Sequence, residues 1–162
     1  MYIIDHDKQI ALISEMKQLR KNNQKYEVYY HHPYTNQMWK SFFPKSDGEY
    51  LGPKLLRHEP VTSDISERLS ICLAERVPEN AIGLGIEWSA KPRLWPDIIR
   101  VLEKEYSHYD RSQIKLFLDN LELDESKDNA IVEAANKPSR EKLDNLVWRS
   151  KKIRMKRFFV LG

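Results

Sequence analysis

The chain has 162 residues, of which 41% are hydrophobic and 31% are charged, and its formal net charge is +3. This length suits one domain, and the apolar fraction is sufficient for a packed core, which excludes intrinsic disorder. A single cysteine excludes an internal disulfide, no apolar run approaches the ~20 residues of a membrane span, and the N-terminus lacks a secretion signal, so we expect a soluble cytoplasmic protein.

The first predicted element is a helix near the N-terminus. Asp5 or Asp7 can cap it, because a carboxylate accepts hydrogen bonds from the free N–H groups of the first helical turn. Apolar residues recur at helical spacing as far as Leu19. We therefore predict a helix that ends at Lys21, before two asparagines.

A β-hairpin is predicted next. Residues 25–31 (KYEVYYH) and 37–43 (QMWKSFF) are rich in aromatic and β-branched side chains, which favour strands. The intervening Pro-Tyr-Thr-Asn sequence is typical of a turn. A short edge strand over residues 50–56 is a weaker prediction, because Pro53 cannot donate a ladder hydrogen bond.

The remainder of the chain, residues 61–157, has the spacing of successive helices. Apolar periodicity and capping residues predict helices that begin near residues 64, 79, 94, 111, 126 and 139. Such regular spacing favours antiparallel helix pairs stacked as in HEAT or armadillo arrays, or else an irregular bundle. The whole chain is thus predicted to be one α+β domain over residues 1–162, predominantly α-helical.

Residues 79–90 allow two interpretations. Apolar residues alternate with two glycines and Glu87, which is a strand pattern, whereas Pro78 and Glu79 open a helix well. Each glycine costs a helix about 1 kcal/mol relative to alanine, yet glycine also permits close approach of a second helix. We favour the helix, and the strand is the alternative.

No catalytic or metal-binding signature is present. The five histidines lack the spacing of helical metal ligands, and we expect them to lie in surface loops. Cys72 lies on an apolar helical stripe, which predicts a buried core residue rather than a nucleophile. The sequence therefore predicts no enzymatic activity, no metal, no cofactor and no small-molecule substrate.

Aromatic residues are concentrated in the predicted hairpin. A two-stranded ribbon cannot turn all of them inward, and exposed Tyr and Trp side chains are typical anchors of protein interfaces. The candidate partner-binding residues here are Tyr30, Tyr34 and Trp39.

An acidic segment, DNLELDESKD over residues 119–128, is predicted to form an exposed corner between two helices. It is either a polar turn or an acidic patch that steers a basic surface of a partner. The candidate residues of such a patch are Glu122, Asp124, Glu125 and Asp128.

The basic segment RSKKIRMKR, residues 149–157, holds six basic residues and no acidic one, so the rest of the chain has a net charge of −3. One interpretation is an amphipathic helix with Trp148, Met155 and Phe159 on one apolar face and the lysines opposite. The alternative is a nucleic-acid-binding segment that neutralises phosphates. The candidate residues for that role are Lys151, Lys152, Arg154, Lys156 and Arg157.

An aromatic hairpin, charged helix corners such as DNLELDESKD, small size and the lack of a catalytic motif occur together in this chain. In this combination it resembles the small stand-alone immunity proteins that neutralise toxins in bacterial competition systems. The resemblance implies a protein-binding module that binds a cognate toxin and occludes it. The net charge of +3 differs from the acidic charge of many nuclease inhibitors, so a nuclease is the less favoured target.

Overall fold

The structure is a computed structural model in which contacts divide the chain into two compact units, residues 1–61 and 62–162. The described parts of the chain are residues 1–47, 49–123 and 139–159, with the side chains of 157–159 left aside. The two units correspond to the sheet-containing and helical portions predicted from the sequence. The α+β class is confirmed, and the single-domain organisation stays a prediction.

The first unit contains an antiparallel sheet, in which the structure describes five strands in the spatial order β1-β5-β4-β3-β2. These strands are β1 (Tyr2–Ile3), β2 (Lys17–Asn22), β3 (Glu27–His31), β4 (Met38–Phe42) and β5 (Leu55–Glu59). Helix α1 (His6–Ser14) follows β1, and Asp5 caps it by accepting from the backbone N–H of Lys8 at 2.9 Å.

The predicted hairpin is confirmed as β3 and β4, in which Tyr30 pairs with Trp39. The predicted edge strand over 50–56 is wrong, because the strand that forms is β5, which lies inside the sheet between β1 and β4. The predicted extension of α1 to Lys21 is also wrong. Residues 17–22 instead form β2, whose backbone groups are satisfied by pairing with β3.

The core of this unit lies between the sheet and α1. Tyr30, Trp39 and Leu56 form a buried cluster, and Leu12 and Ile13 of α1 pack against it. Burial of these apolar side chains provides the main stabilisation of α1, which is too short to be stable alone.

All the regular secondary structure that is described in the second unit is helical. Its helices are α2 (Ile65–Leu73), α3 (Pro78–Ser89), α4 (Trp95–Glu105), α5 (Arg111–Leu121) and α6 (Arg140–Phe159), with short 3₁₀ turns at Pro92–Leu94 and Tyr106–His108. The helical interpretation of residues 79–90 is confirmed. The helix predicted to begin near residue 126 lies outside the described residues. No helix that the structure describes is long and apolar enough to cross a bilayer.

Helix α3 is buried along most of its length and packs closely against α5. A Cβ atom placed on Gly85 would lie 2.7 Å from the backbone oxygen of Phe117 and 2.8 Å from the Cβ of Asn120. The glycine therefore allows a close helix–helix approach, as the sequence predicted. Trp88 of α3 meets the ring of Phe117 edge-on, with 5.9 Å between ring centroids.

Cys72 of α2 is fully buried. Burial raises the pKa of its thiol to about 12, so the reactive thiolate is suppressed at neutral pH. The prediction of a core cysteine is confirmed.

Asp110 caps α5 and also forms an ion pair with Arg76 in the loop between α2 and α3. One carboxylate oxygen accepts from the backbone N–H groups of Ser112 and Gln113, at 2.9 and 3.3 Å, and the other accepts from Arg76 Nε at 2.8 Å. The Arg76 guanidinium and the Ser112 hydroxyl lower the pKa of Asp110 to about 2. Because Arg76 is largely exposed, its ion pair with Asp110 contributes little to the free energy of unfolding, and the helix cap contributes more.

We expect Asp110→Ala to lower the free energy of unfolding by about 1–2 kcal/mol at pH 7, mainly through loss of the cap. A carboxyl group whose pKa is lowered on folding contributes stability above its ordinary pKa near 4, and this contribution is lost as the pH falls toward 2. Urea denaturation at pH 7 and between pH 4 and 2 measures both effects. The prediction fails if the variant loses stability on acidification as steeply as the parent.

Candidate partner-binding surfaces

The described residues contain no group of three or more His, Cys, Asp or Glu side chains that could hold a metal ion. One polar cluster is formed by Ser66, Glu105 and Tyr109. The hydroxyls of Ser66 and Tyr109 both donate to Glu105 Oε2 at 2.7 Å, and these hydrogen bonds lower the pKa of the carboxyl. The cluster joins α2 to the end of α4, which gives it a structural role.

The turn between β3 and β4 is held by two histidines. His32 Nδ1 accepts from the backbone N–H groups of Tyr34 and Thr35, at 3.3 and 3.2 Å, so its proton lies on Nε2, which faces Glu15 Oε2 at 3.3 Å. His31 Nε2 lies 2.8 Å from Asn36 Oδ1. The expectation of surface histidines is therefore wrong for His32, which is buried because it caps the turn.

The backbone of this turn is fixed as well. Asn36 has a positive φ of 56°, which asparagine tolerates better than most residues, and its N–H donates to the carbonyl of His32 at 2.9 Å. Pro33 directly precedes Tyr34, and its ring fixes its own φ at about −65°. Side chains and backbone together hold one turn conformation.

Tyr34 projects from this fixed turn and is 90% exposed, the highest value among the large hydrophobic residues that the structure describes. A rigid, exposed tyrosine offers a large contact area, and a partner would not have to order the loop that carries it. Among the three aromatic candidates, Tyr34 has the exposure expected of a partner-binding residue.

Tyr30 and Trp39 are in the core, which corrects the expectation that the hairpin aromatics stand outside. They are 9% and 8% exposed and lie opposite each other on the sheet face that α1 covers. The prediction assumed an isolated two-stranded ribbon, whereas five strands and a helix provide an inner face. Neither side chain can reach a partner without opening the core.

The acidic corner is described only at its start. Glu122 follows α5 in the left-handed conformation, with φ 56° and ψ 39°, and is half-buried. The other candidates, Asp124, Glu125 and Asp128, lie outside the described residues. An acidic patch therefore stays a prediction.

The arginines of the basic segment hold α6 against its neighbours. Arg149 donates to both carboxylate oxygens of Glu103 on α4, at 2.9 and 2.7 Å, and Arg154 contacts Asp119 on α5 at 2.8 Å. The hydrogen bond to Arg149 lowers the pKa of Glu103, and the same contact raises the pKa of Arg149. These two arginines are thus engaged within the protein.

The apolar side chains of α6 face in two directions. The buried face is formed by Leu143, Leu146, Val147 and Ile153. Trp148 and Met155 are 55% and 53% exposed, and Lys152 places Nζ 3.6 Å from the centroid of the Trp148 ring. Trp148 and Met155 do share one side of the helix, as expected, but the placement of the lysines opposite is wrong, because Lys152 lies on the same side. The side chain of Phe159 lies outside the description.

We call Asn145, Trp148, Lys152 and Met155 the α6 stripe. All four are exposed and lie three or four residues apart, so they follow one side of the helix. Lys151 and Lys156 are exposed next to the stripe. An open depression of about 590 Å³ adjoins its N-terminal end and is lined by Ser139, Glu141, Lys142, Asn145 and Trp148.

Two surfaces therefore combine an exposed aromatic side chain with a fixed support, the Tyr34 turn and the α6 stripe. From the sequence, Tyr34 was a partner-binding candidate, whereas Trp148 was predicted only as part of the apolar face of an amphipathic helix. Comparisons with protein-family models, curated proteins and solved structures gave no match to this chain.

Proposed function

We propose that this chain is a protein-binding module, most concretely an immunity protein that binds a cognate toxin and neutralises it by occlusion. The observation that carries the proposal is Tyr34, which is 90% exposed on a turn fixed by His31 and His32. Large exposed aromatics on rigid supports are typical of interface anchors. Occlusion requires contact area and no catalytic group of the inhibitor itself.

The α6 stripe supports the same proposal. Trp148 and Met155 remain exposed on a helix whose opposite face is buried and whose position is fixed by the Arg149–Glu103 ion pair. Exposed large apolar side chains grouped on one helix face favour an interaction surface over a solvated one.

Nucleic-acid binding is the second candidate function. Exposed Lys151, Lys152 and Lys156 favour it, since lysines neutralise phosphates. The engagement of Arg154 with Asp119 weighs against it, and the side chain of Arg157 lies outside the description. Fewer cations remain for phosphates than the sequence suggests, so the protein-binding proposal is the stronger one.

For the helical unit we propose a short stacked array of helix pairs of the HEAT or armadillo kind. The helices α2 to α5 begin at residues 65, 78, 95 and 111, so a helix pair recurs after about 30 residues, within the ~20–45 residues of solenoid repeats in general. An irregular bundle is the alternative.

The proposal requires that a neighbouring gene encode a toxin, and the test of function is protection of bacteria from that toxin. We expect the full chain to protect, and Tyr34→Ala to weaken its affinity for the purified toxin by about 30-fold, equivalent to about 2 kcal/mol. Tyr50→Ala is the matched control, because Tyr50 is also an exposed tyrosine of the first unit, at 63%. Calorimetric titration measures both variants.

Equal affinity and protection in Tyr34→Ala and the parent chain would remove Tyr34 from the interface. Absence of protection and of toxin binding by the parent chain would refute the immunity function. Binding of duplex DNA or RNA that weakens steeply with salt, without toxin binding, would favour the second candidate.

A further inference from the structure

Between residues 149 and 156 of α6, the arginines and the lysines have different positions. Arg149 and Arg154 form ion pairs with α4 and α5, whereas Lys151, Lys152 and Lys156 are exposed. The sequence has no acidic residue after residue 144. The exposed surface described between Trp148 and Lys156 therefore combines positive charge with two apolar side chains.

The spacing of those apolar side chains is that of a helix-docking seam. Trp148 and Met155 are seven residues apart, which corresponds to about 10.5 Å along the helix axis. Seven residues is also the repeat with which one helix presents apolar anchors to another. Lys152 lies between them, with its ammonium group against the Trp148 ring, so charge and apolar surface alternate along the stripe.

We propose that the α6 stripe docks an acidic amphipathic helix of a partner protein. Apolar side chains of that helix would contact Trp148 and Met155, and its carboxylates would contact Lys152 and Lys156. Charge complementarity carries this inference, because the exposed charged residues described from Trp148 to Lys156 are all lysines, whereas the exposed acids Glu141 and Asp144 precede the stripe. The inference rests on the proposed protein-binding function and specifies the chemistry of the partner.

Two other occupants fit the stripe less well. A membrane surface requires a broad apolar face, and the stripe exposes two large apolar side chains in about three helical turns. A nucleic acid is recognised best by arginine, whose planar group matches phosphate, and Arg149 and Arg154 are engaged with carboxylates. Each of these occupants is an outcome of the test.

The test uses the full chain and a synthetic 21-residue peptide with leucine at heptad positions a and d and glutamate elsewhere. A matched peptide has lysine in place of glutamate. Trp148 gives a direct readout, because Trp39, Trp88 and Trp95 are all buried. We expect the acidic peptide to shift the tryptophan emission to the blue and to protect it from acrylamide quenching, and the basic peptide to do neither.

Variants locate the binding. We expect the double variant Lys152→Glu, Lys156→Glu and the variant Trp148→Ala each to weaken calorimetric binding of the acidic peptide about tenfold or more. Ile71→Ala is the apolar control, since Ile71 is 48% exposed on α2, and the exposed Lys104→Glu is the charge control. Both controls should bind as the parent does, and thermal denaturation should show that all variants are folded.

The inference is overturned if the acidic peptide does not bind, or if it binds the stripe variants and the parent equally. It is also overturned if a 20-base-pair DNA duplex or vesicles of anionic phospholipid bind through Trp148 and Lys152 and the acidic peptide does not. Toxin protection retained by Trp148→Ala but lost by Tyr34→Ala would refute the stripe as a toxin contact and leave the immunity function in place. If the parent chain does not bind the toxin, the immunity function is refuted. The peptide titration still decides whether the α6 stripe docks an acidic helix.

Discussion

Replacing Glu87 with glutamine is expected to lower the free energy of unfolding by about 3–5 kcal/mol. Glu87 is 1% exposed on α3, and both its oxygens accept from Arg68, at 3.3 and 3.0 Å. Lys91 Nζ lies 2.8 Å from the same carboxylate. Glutamine has nearly the same shape but no charge, so the buried guanidinium of Arg68 would lose its compensating anion.

Urea denaturation of the full chain measures this loss. Lys91→Ala is the comparison, and it should cost about 1 kcal/mol or less, because the Lys91 side chain is 42% exposed. The double variant Arg68→Met, Glu87→Leu should recover most of the stability, since it removes both buried charges and keeps apolar volume. A Glu87→Gln variant as stable as the parent would contradict the electrostatic argument.

The hairpin and the main helices of the second unit could be predicted from sequence because their signals are local. Aromatic and β-branched residues mark β3 and β4, and Asp110 marks the start of α5. The sequence of β2, KQLRKN, has no such signal. Its strand conformation depends on hydrogen bonds from β3, and a strand at the edge of a sheet favours polar and charged residues.

The candidate surfaces could be predicted only where exposure follows from local conformation. Tyr34 lies in a turn, and its exposure follows from that position. Tyr30 is buried because α1 covers its face of the sheet. No local sequence pattern predicts that contact. On α6, apolar residues occur on more than one side, so periodicity alone did not distinguish the buried Val147 from the exposed Trp148.

The contacts of Arg149 could not be predicted from local sequence either. Its partner Glu103 is 46 residues earlier in the chain, so the pairing depends on how α4 and α6 pack. From the sequence, six basic residues between 149 and 157 indicate one basic surface. Tertiary contacts divide the five whose side chains are described into Arg149 and Arg154, which hold the helix, and three lysines that remain exposed, and that division determines which partner chemistry α6 favours.

Substitution of Gly85 is the second change with a large expected effect. We expect Gly85→Ala to lower the free energy of unfolding by about 1–3 kcal/mol and Gly85→Leu by about 3 kcal/mol or more. Alanine is the better helix former by about 1 kcal/mol, so any net loss must come from contacts. The new Cβ would meet the backbone oxygen of Phe117 at 2.7 Å, and a backbone atom cannot rotate away as a side chain can.

Thermal and urea denaturation followed by circular dichroism measure this prediction. Lys104→Ala, at an exposed position of α4, should change the stability by less than about 0.5 kcal/mol. Adding Asn120→Gly to Gly85→Ala should relieve the 2.8 Å contact with the Asn120 side chain but not the one with Phe117, and glycine itself weakens α5. The double variant should therefore stay less stable than the parent. If Gly85→Ala were instead more stable than the parent, α3 and α5 could separate at little cost, and glycine at this position would reflect something other than close helix packing.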